Sequence, residues 1–135
     1  MTDASHPDCG TVDSLQQAVR RYFDLMYDYD VASFDGVFRP TARLHGLRNG
    51  EVRMLTAEAY KEILATTPSP RSQNAPRQEE ILLMDVTSRD QALAKVRVKI
   101  GSIVYVDYLS YHRIDGDWRI TSKAFHIEGN AAARI

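Results

Sequence analysis

Between Val12 and Tyr27 the apolar residues recur as Val12, Leu15, Val19, Tyr22, Phe23, Met26 and Tyr27, with Asp13, Gln17, Arg20, Asp24 and Asp28 on the other side. That spacing predicts an amphipathic helix with Thr11 as its N-cap. Val31 to Val37 reads as a second short helical turn after Asp30, ending before Pro40 because proline disfavours a helical predecessor. Thr41 to Leu47 and Val52 to Leu55 flank Asn49-Gly50, a pair that tolerates positive φ at both positions and so predicts a tight hairpin. Thr56 caps a third helix from Ala57 to about Thr66, with Leu55 and Tyr60 at staple positions and Tyr60, Ile63 and Leu64 as its inward stripe.

Pro68 to Pro76 holds three prolines and little that is apolar, which predicts an exposed loop. Over residues 67–78 such a loop is a candidate lid or a plain connector. Beyond it the period changes to two. Glu80 to Ser88 is one predicted strand, and the next has Ala92, Ala94, Val96, Val98 and Ile100 alternating with Leu93, Lys95, Arg97 and Lys99. Ser102 to Arg113 and Trp118 to Glu128 complete a four-stranded antiparallel meander. Helices and a small hairpin followed by a meander predict an α+β domain in which helices cover one face of a curved sheet.

Asp107 interrupts what is otherwise a buried strand. Asp115-Gly116 is a strong hairpin signal, and a two-residue turn there pairs Arg113 with Trp118, Tyr111 with Ile120, Leu109 with Ser122, Asp107 with Ala124 and Tyr105 with His126. Trp118 and Ile120 are the bulkiest apolar residues of the last strand, so their face is expected under the helices, and Asp107 with them. In this register Ser122, His126 and Tyr105 surround Asp107, while Lys123 lies on the outer face. A buried carboxylate needs a partner, and such a setting shifts pKa values toward proton transfer or ligand binding. Asp107 is accordingly a candidate general base or ligand anchor, against the plainer reading of a structural carboxylate bonded to Ser122 or a tyrosine. His126 is a candidate acid or base partner across the diagonal, or a satisfied strand-end histidine.

The order of elements from about Thr11 to Glu128 resembles the NTF2-like (SnoaL-like, cystatin-like) superfamily. So do Asp107-Tyr108-Leu109, then Asp115-Gly116-Asp117-Trp118-Arg119-Ile120, then Lys123-Ala124-Phe125-His126. Within it, these motifs look like the group labelled "putative lumazine-binding" proteins. The resemblance implies a cone with N-terminal helices on the concave face of a curved, mostly antiparallel sheet, enclosing a pocket and pairing as a homodimer through the outer face. It also implies a range of activities, from ligand binding without chemistry to cofactor-independent isomerases, dehydratases and cyclases that move a proton with a pocket Asp, His or Tyr.

Tyr22, Tyr60, Tyr105, Tyr111 and Trp118 are candidate pocket aromatics, able to stack on a flat ligand or simply to fill the core. His45 on the first hairpin is a further candidate, undetermined by parity. Asp24, Asp28 and Asp30, at the end of the first helix, read as solvated charges. On the outer face, Val104, Val106, Tyr108 and Phe125 form an apolar patch that two copies would bury against each other.

Seventeen Lys and Arg against eighteen Asp and Glu, scattered along the chain, disfavour nucleic acid and anionic membranes as partners. The first residues carry no signal-peptide pattern, and no apolar run is long enough to span a bilayer. Cys9 is the single cysteine, which excludes an internal disulfide and fits a reducing cytoplasm. Residues 1–10 are expected as a leader and 11–130 as one domain. The four histidines show no metal-ligand spacing, and phosphate loops, nucleophile elbows and cofactor motifs are missing, so neither metal nor cofactor is expected.

Overall fold

The computed structural model describes residues 6–130; residues 1–5 of the expected leader lie outside it. The first helix, α1, runs Cys9–Asp28 and starts earlier than Thr11. Asp8 is the N-cap. Its Oδ1 accepts from the Thr11 N–H at 2.8 Å, and Thr11 Oγ1 accepts from the Asp8 N–H at 3.2 Å. This reciprocal box makes Thr11 the third helical residue, and draws Cys9 and Gly10 into the helix. Leu15, Val19, Tyr22, Phe23 and Met26 are buried along one stripe, as the periodicity requires. The helix ends at Tyr29 in the left-handed conformation, φ 54°, uncommon for so bulky a residue.

A 3-10 turn over Val31–Gly36, capped by Asp30, buries Phe34. Strands β1 (Phe38–Arg48) and β2 (Glu51–Thr56) form the expected hairpin, with Asn49 and Gly50 both at positive φ. Helix α2 spans Ala57–Thr66, and the Thr56 hydroxyl accepts from the Ala59 N–H at 3.1 Å. Of its predicted stripe Leu64 is buried, Tyr60 is half-buried and Ile63 is exposed. The proline-rich connector contains a 3-10 turn, Arg71–Gln73, and is tied to the end of α1. Arg71 meets Asp28 at 3.2 Å, Arg77 meets Asp24 at 2.6 Å, and the Tyr27 hydroxyl donates to the Ala75 carbonyl at 2.7 Å. Asp24 and Asp28 therefore hold the connector as well as facing water.

Strands β3 (Glu79–Ser88), β4 (Gln91–Ile100), β5 (Ile103–Ile114) and β6 (Asp117–Asn130) form the meander. β1 adds to it in parallel beside β6, giving one six-stranded sheet in the order β2-β1-β6-β5-β4-β3. The sheet is curled and unclosed, and α1 packs into its concave side against β4 and β6. The core there includes Val96, Leu109, Tyr111, Trp118 and Ile120, all buried.

The expected β5–β6 register holds only at the turn. Arg113 pairs with Trp118 and Tyr111 with Ile120, but Ser110 then pairs with Ser122, Leu109 with Lys123 and Asp107 with Phe125. Thr121 is the extra residue of a β-bulge. Its hydroxyl lies 2.6 Å from His112 Nδ1 and 3.3 Å from the Ser110 carbonyl oxygen. One inserted residue exchanges the faces of the residues after it, here as far as Ile127, where a second register shift follows, because side chains alternate with period two. Lys123 and Phe125 therefore face the concave side. Ser122, Ala124 and His126 are exposed on the convex one, so neither Ser122 nor His126 can partner Asp107.

Candidate functional site

Asp107 is carried inward by β5, as its alternation with Leu109 and Tyr111 dictates, and is 1% exposed. Tyr22, on the buried stripe of α1, donates its hydroxyl to Asp107 Oδ2 at 2.6 Å. Lys123, turned inward by the bulge, places Nζ 3.9 Å from the same oxygen. The same Nζ lies 3.4 Å from the Tyr60 hydroxyl and 4.0 Å from Met26 Sδ. It also sits 5.2 Å and 4.9 Å from the ring centres of Tyr22 and Tyr60, within cation–π range. The Tyr60 hydroxyl in turn contacts Met26 Sδ at 3.1 Å. Asp107 Oδ1 is buried and has no hydrogen-bond partner among the described residues.

The electrostatics follow from burial. Lys123 has its pKa lowered by desolvation, with Asp107 pulling the other way. Tyr22 and Tyr60 are raised well above the usual phenol value, first by burial and then by the neighbouring Asp107 charge. Both remain protonated and can donate. Tyr29 is pushed up to about 12 by burial, then by Tyr60 and Tyr105, with Lys123 opposing. Tyr29, Tyr60, Tyr105 and Phe125 are half-buried, and Tyr29, Tyr60 and Tyr105 lie near enough to Lys123 or Asp107 to feel their charges. The left-handed backbone of Tyr29 ends α1 beside Tyr60 and Tyr105. Strained conformations of this kind cluster at binding sites.

Phe125 owes its position to a missing side chain. Gly46 of β1 pairs with it in parallel register, and a Cβ at Gly46 would fall 2.1 Å from the ring. The ring occupies that space and meets Tyr105 edge-on at 6.5 Å.

An open cleft of about 790 Å³ lies elsewhere, lined by Arg77, Glu79, Glu80, Arg97, Lys99 and Val104. Its charges largely answer one another: Arg97 pairs with Glu80 and with Glu128, and Arg77 with Glu79. Unmet polar chemistry is found instead at Asp107. Among the described residues no cluster of three or more His, Cys, Asp or Glu could hold a metal ion.

The family model described as "putative lumazine-binding" matches residues 11–126. The chain belongs to that family. No curated protein matches the sequence. Among solved structures, an NTF2-like protein of unknown function from Silicibacter pomeroyi is similar at 21% identity and TM-score 0.75, covering 88% of this chain and 97% of that one. One from Shewanella baltica is similar at 15% identity and TM-score 0.79, covering 92% and 98%. A ketosteroid isomerase-like protein from Erwinia carotovora atroseptica is similar at 12% identity and TM-score 0.69, covering 90% and 99%. At such identities these likenesses establish the NTF2-like, cystatin-like fold.

Within this putative lumazine-binding domain, the structure brings together Asp107, Tyr22, Tyr60 and Tyr105 of the residues singled out from sequence. Tyr111 is buried farther along β5, its hydroxyl without a partner among the described residues. Trp118 is buried at the far end, where its indole N–H donates to Ser14 Oγ at 3.0 Å, and Arg113 lies over its ring. His45 is exposed on the convex face, as β1 turns Ala42, Leu44 and Gly46 inward. Sequence reasoning placed Lys123 outside and overlooked Met26 and Tyr29 as site residues. One signal was available. The large apolar residues of the last strand fall at even positions, Trp118 and Ile120, then at odd ones, Phe125 and Ile127, and such a break in parity marks a bulge.

Proposed function

We propose that the protein binds a small, partly aromatic organic molecule on the concave face, with Asp107 and Lys123 as polar anchors and Tyr22, Tyr29, Tyr60 and Tyr105 as aromatic walls. The observation that carries this reading is the unpartnered, buried Asp107 Oδ1 beside a buried amine. A buried acceptor without a donor costs about 1–3 kcal/mol or more, which a ligand N–H or O–H would offset. The fitting ligand presents that donor to Oδ1, an acceptor oxygen to Lys123, and a flat ring to the tyrosines. Lumazine, named in the family description, has a flat ring system with ring N–H donors and carbonyl acceptors. Entry is through the half-buried rim of Tyr29, Tyr60 and Tyr105.

A second reading, favoured by that same free carboxylate oxygen, is a cofactor-independent isomerase, dehydratase or cyclase. Asp107 would take a proton from carbon, and Tyr60 or Lys123 would stabilise the resulting enolate. The fold shared with the ketosteroid isomerase-like protein lends it support. In either case we place the protein in the cytoplasm as a homodimer joined through the convex face. Tyr108, Leu47, Val52, Met54 and Leu83 are large apolar residues exposed on the described chain, and they replace the patch expected from sequence. Val104 and Val106 are each only 8% exposed, and Phe125 faces inward.

Titration of lumazine into the wild-type protein, followed by intrinsic fluorescence, tests the reading. Saturable binding weakened at least about tenfold, or 1.4 kcal/mol, by Asp107→Asn and by Lys123→Met, with His126→Ala unchanged, is the expected result. Equal binding by all four proteins, or a pocket that neither takes lumazine nor retains any small molecule in native mass spectrometry, would overturn it. Loss of turnover without loss of affinity in Asp107→Asn would favour the enzyme.

A further inference from the structure

The chain contains four lysines, and three have ordinary surroundings. Lys61 faces Asp35 at the surface, Lys95 lies over the Tyr108 ring, and Lys99 is partly exposed at the edge of the open cleft. Lys123 is different in kind: its side chain is 6% exposed and enclosed by Tyr22, Tyr60 and Met26. An ammonium retained there purely as structure would be expected to hold a close charge-assisted bond, typically 2.7–2.9 Å. The nearest carboxylate oxygen stands 3.9 Å away and already accepts the Tyr22 hydroxyl. Burial lowers the Lys123 pKa against the pull of Asp107, and a lysine desolvated in an apolar pocket is a nucleophile once it sheds its proton.

Resting on the pocket reading above, we infer that Lys123 is the nucleophile of the site and condenses with the carbonyl group of an aromatic aldehyde or ketone to form an imine. Asp107 takes the ammonium proton, freeing the Nζ lone pair. That pair forms a C–N bond as the carbonyl π bond breaks onto oxygen. The oxygen acquires a proton from Asp107 to give a carbinolamine. Loss of the second proton from nitrogen and departure of the hydroxyl as water leave the C=N bond. The net change is ammonium plus carbonyl to protonated imine plus one water, the last proton and its charge staying on nitrogen, with no oxidant or reductant. The Tyr60 hydroxyl, 3.4 Å from Nζ, is the relay for the proton that leaves nitrogen and reaches the departing oxygen. The tyrosine rim would hold the aromatic ring of the aldehyde.

The test uses the full chain, benzaldehyde as the probe, and cyanoborohydride at neutral pH to reduce any imine to a stable benzyl amine, followed by peptide mapping. The expected result is labelling of Lys123 several-fold faster than Lys61, Lys95 and Lys99, because burial leaves more of its amine unprotonated at neutral pH. Labelling of Lys123 no faster than the other three overturns the inference, and because the wild type is compared with itself, no variant has to fold. Benzamide has the same ring but a carbonyl that does not condense, so its binding measured by calorimetry reports on the pocket alone. Benzamide binding without selective labelling sinks the nucleophile and spares the pocket; neither binding nor labelling sinks both. Lys123→Arg, shown to be folded by circular dichroism, should lose the label while Lys61, Lys95 and Lys99 keep theirs.

Discussion

Replacing Asp107 by Asn removes the charge and leaves an amide oxygen that can still accept from Tyr22. What changes is the position of Lys123. Its Nζ is buried 3.9 Å from the carboxylate, with phenols and a thioether as its other neighbours. Breaking one partner out of a buried ion pair costs about 3–5 kcal/mol, because the remaining charge is uncompensated. The lysine can escape by giving up its proton, and that escape sets a ceiling. From an unfolded value of 10.5, deprotonation costs about 4.8 kcal/mol at pH 7 and about 2 kcal/mol at pH 9, taking 1.36 kcal/mol per pH unit. The Asp107→Asn penalty should therefore be several kcal/mol at pH 7 and about halve or better at pH 9. The sign agrees with linkage: a lysine with a depressed folded pKa binds more protons when unfolded, so the variant gains stability as pH rises toward 10.5. Urea unfolding of wild type, Asp107→Asn, Lys123→Met and the double variant at the two pH values measures this. The double variant should be more stable than Asp107→Asn alone, since no charge is then stranded. A penalty below about 0.5 kcal/mol in Asp107→Asn, or one independent of pH, would refute the pairing and its energetics, being no larger than an ordinary surface substitution.

Gly46→Ala should destabilise the fold by about 1–3 kcal/mol, an overpacking cost, because its Cβ would enter the Phe125 ring. Adding Phe125→Leu should recover part of that loss, and full stability of Gly46→Ala in thermal unfolding would contradict the close approach. Sedimentation equilibrium at micromolar concentration should show a dimer, weakened by Tyr108→Lys together with Met54→Lys; a monomeric wild type would contradict the convex interface.

Most of the architecture could be read from the chain because local chemistry fixed it. The 3.6-residue stripe of α1, the Asn49-Gly50 and Asp115-Gly116 turns and the Thr56 cap each depend on a few neighbouring residues, and all appear where expected. Parallel docking of β1 on β6 is long-range and left no local mark. Half of the candidate site was legible for the same reason: Asp107 and Tyr22 face inward by simple alternation on unbroken elements. The other half lies past Thr121, where alternation counted from the turn gives the wrong face. Ser122 and His126 were thereby credited with places that Lys123 and Phe125 hold.

The extra residue at Thr121 also bears on how the concave face could be remade. Downstream of it the strand has two complete liners interleaved, one cationic and aromatic in Lys123 and Phe125, the other small and mildly polar in Ser122, Ala124 and His126. Which one is displayed depends on a single count of residues, so gaining or losing one amino acid there would swap the whole wall at a stroke, where point mutation would need several separate steps.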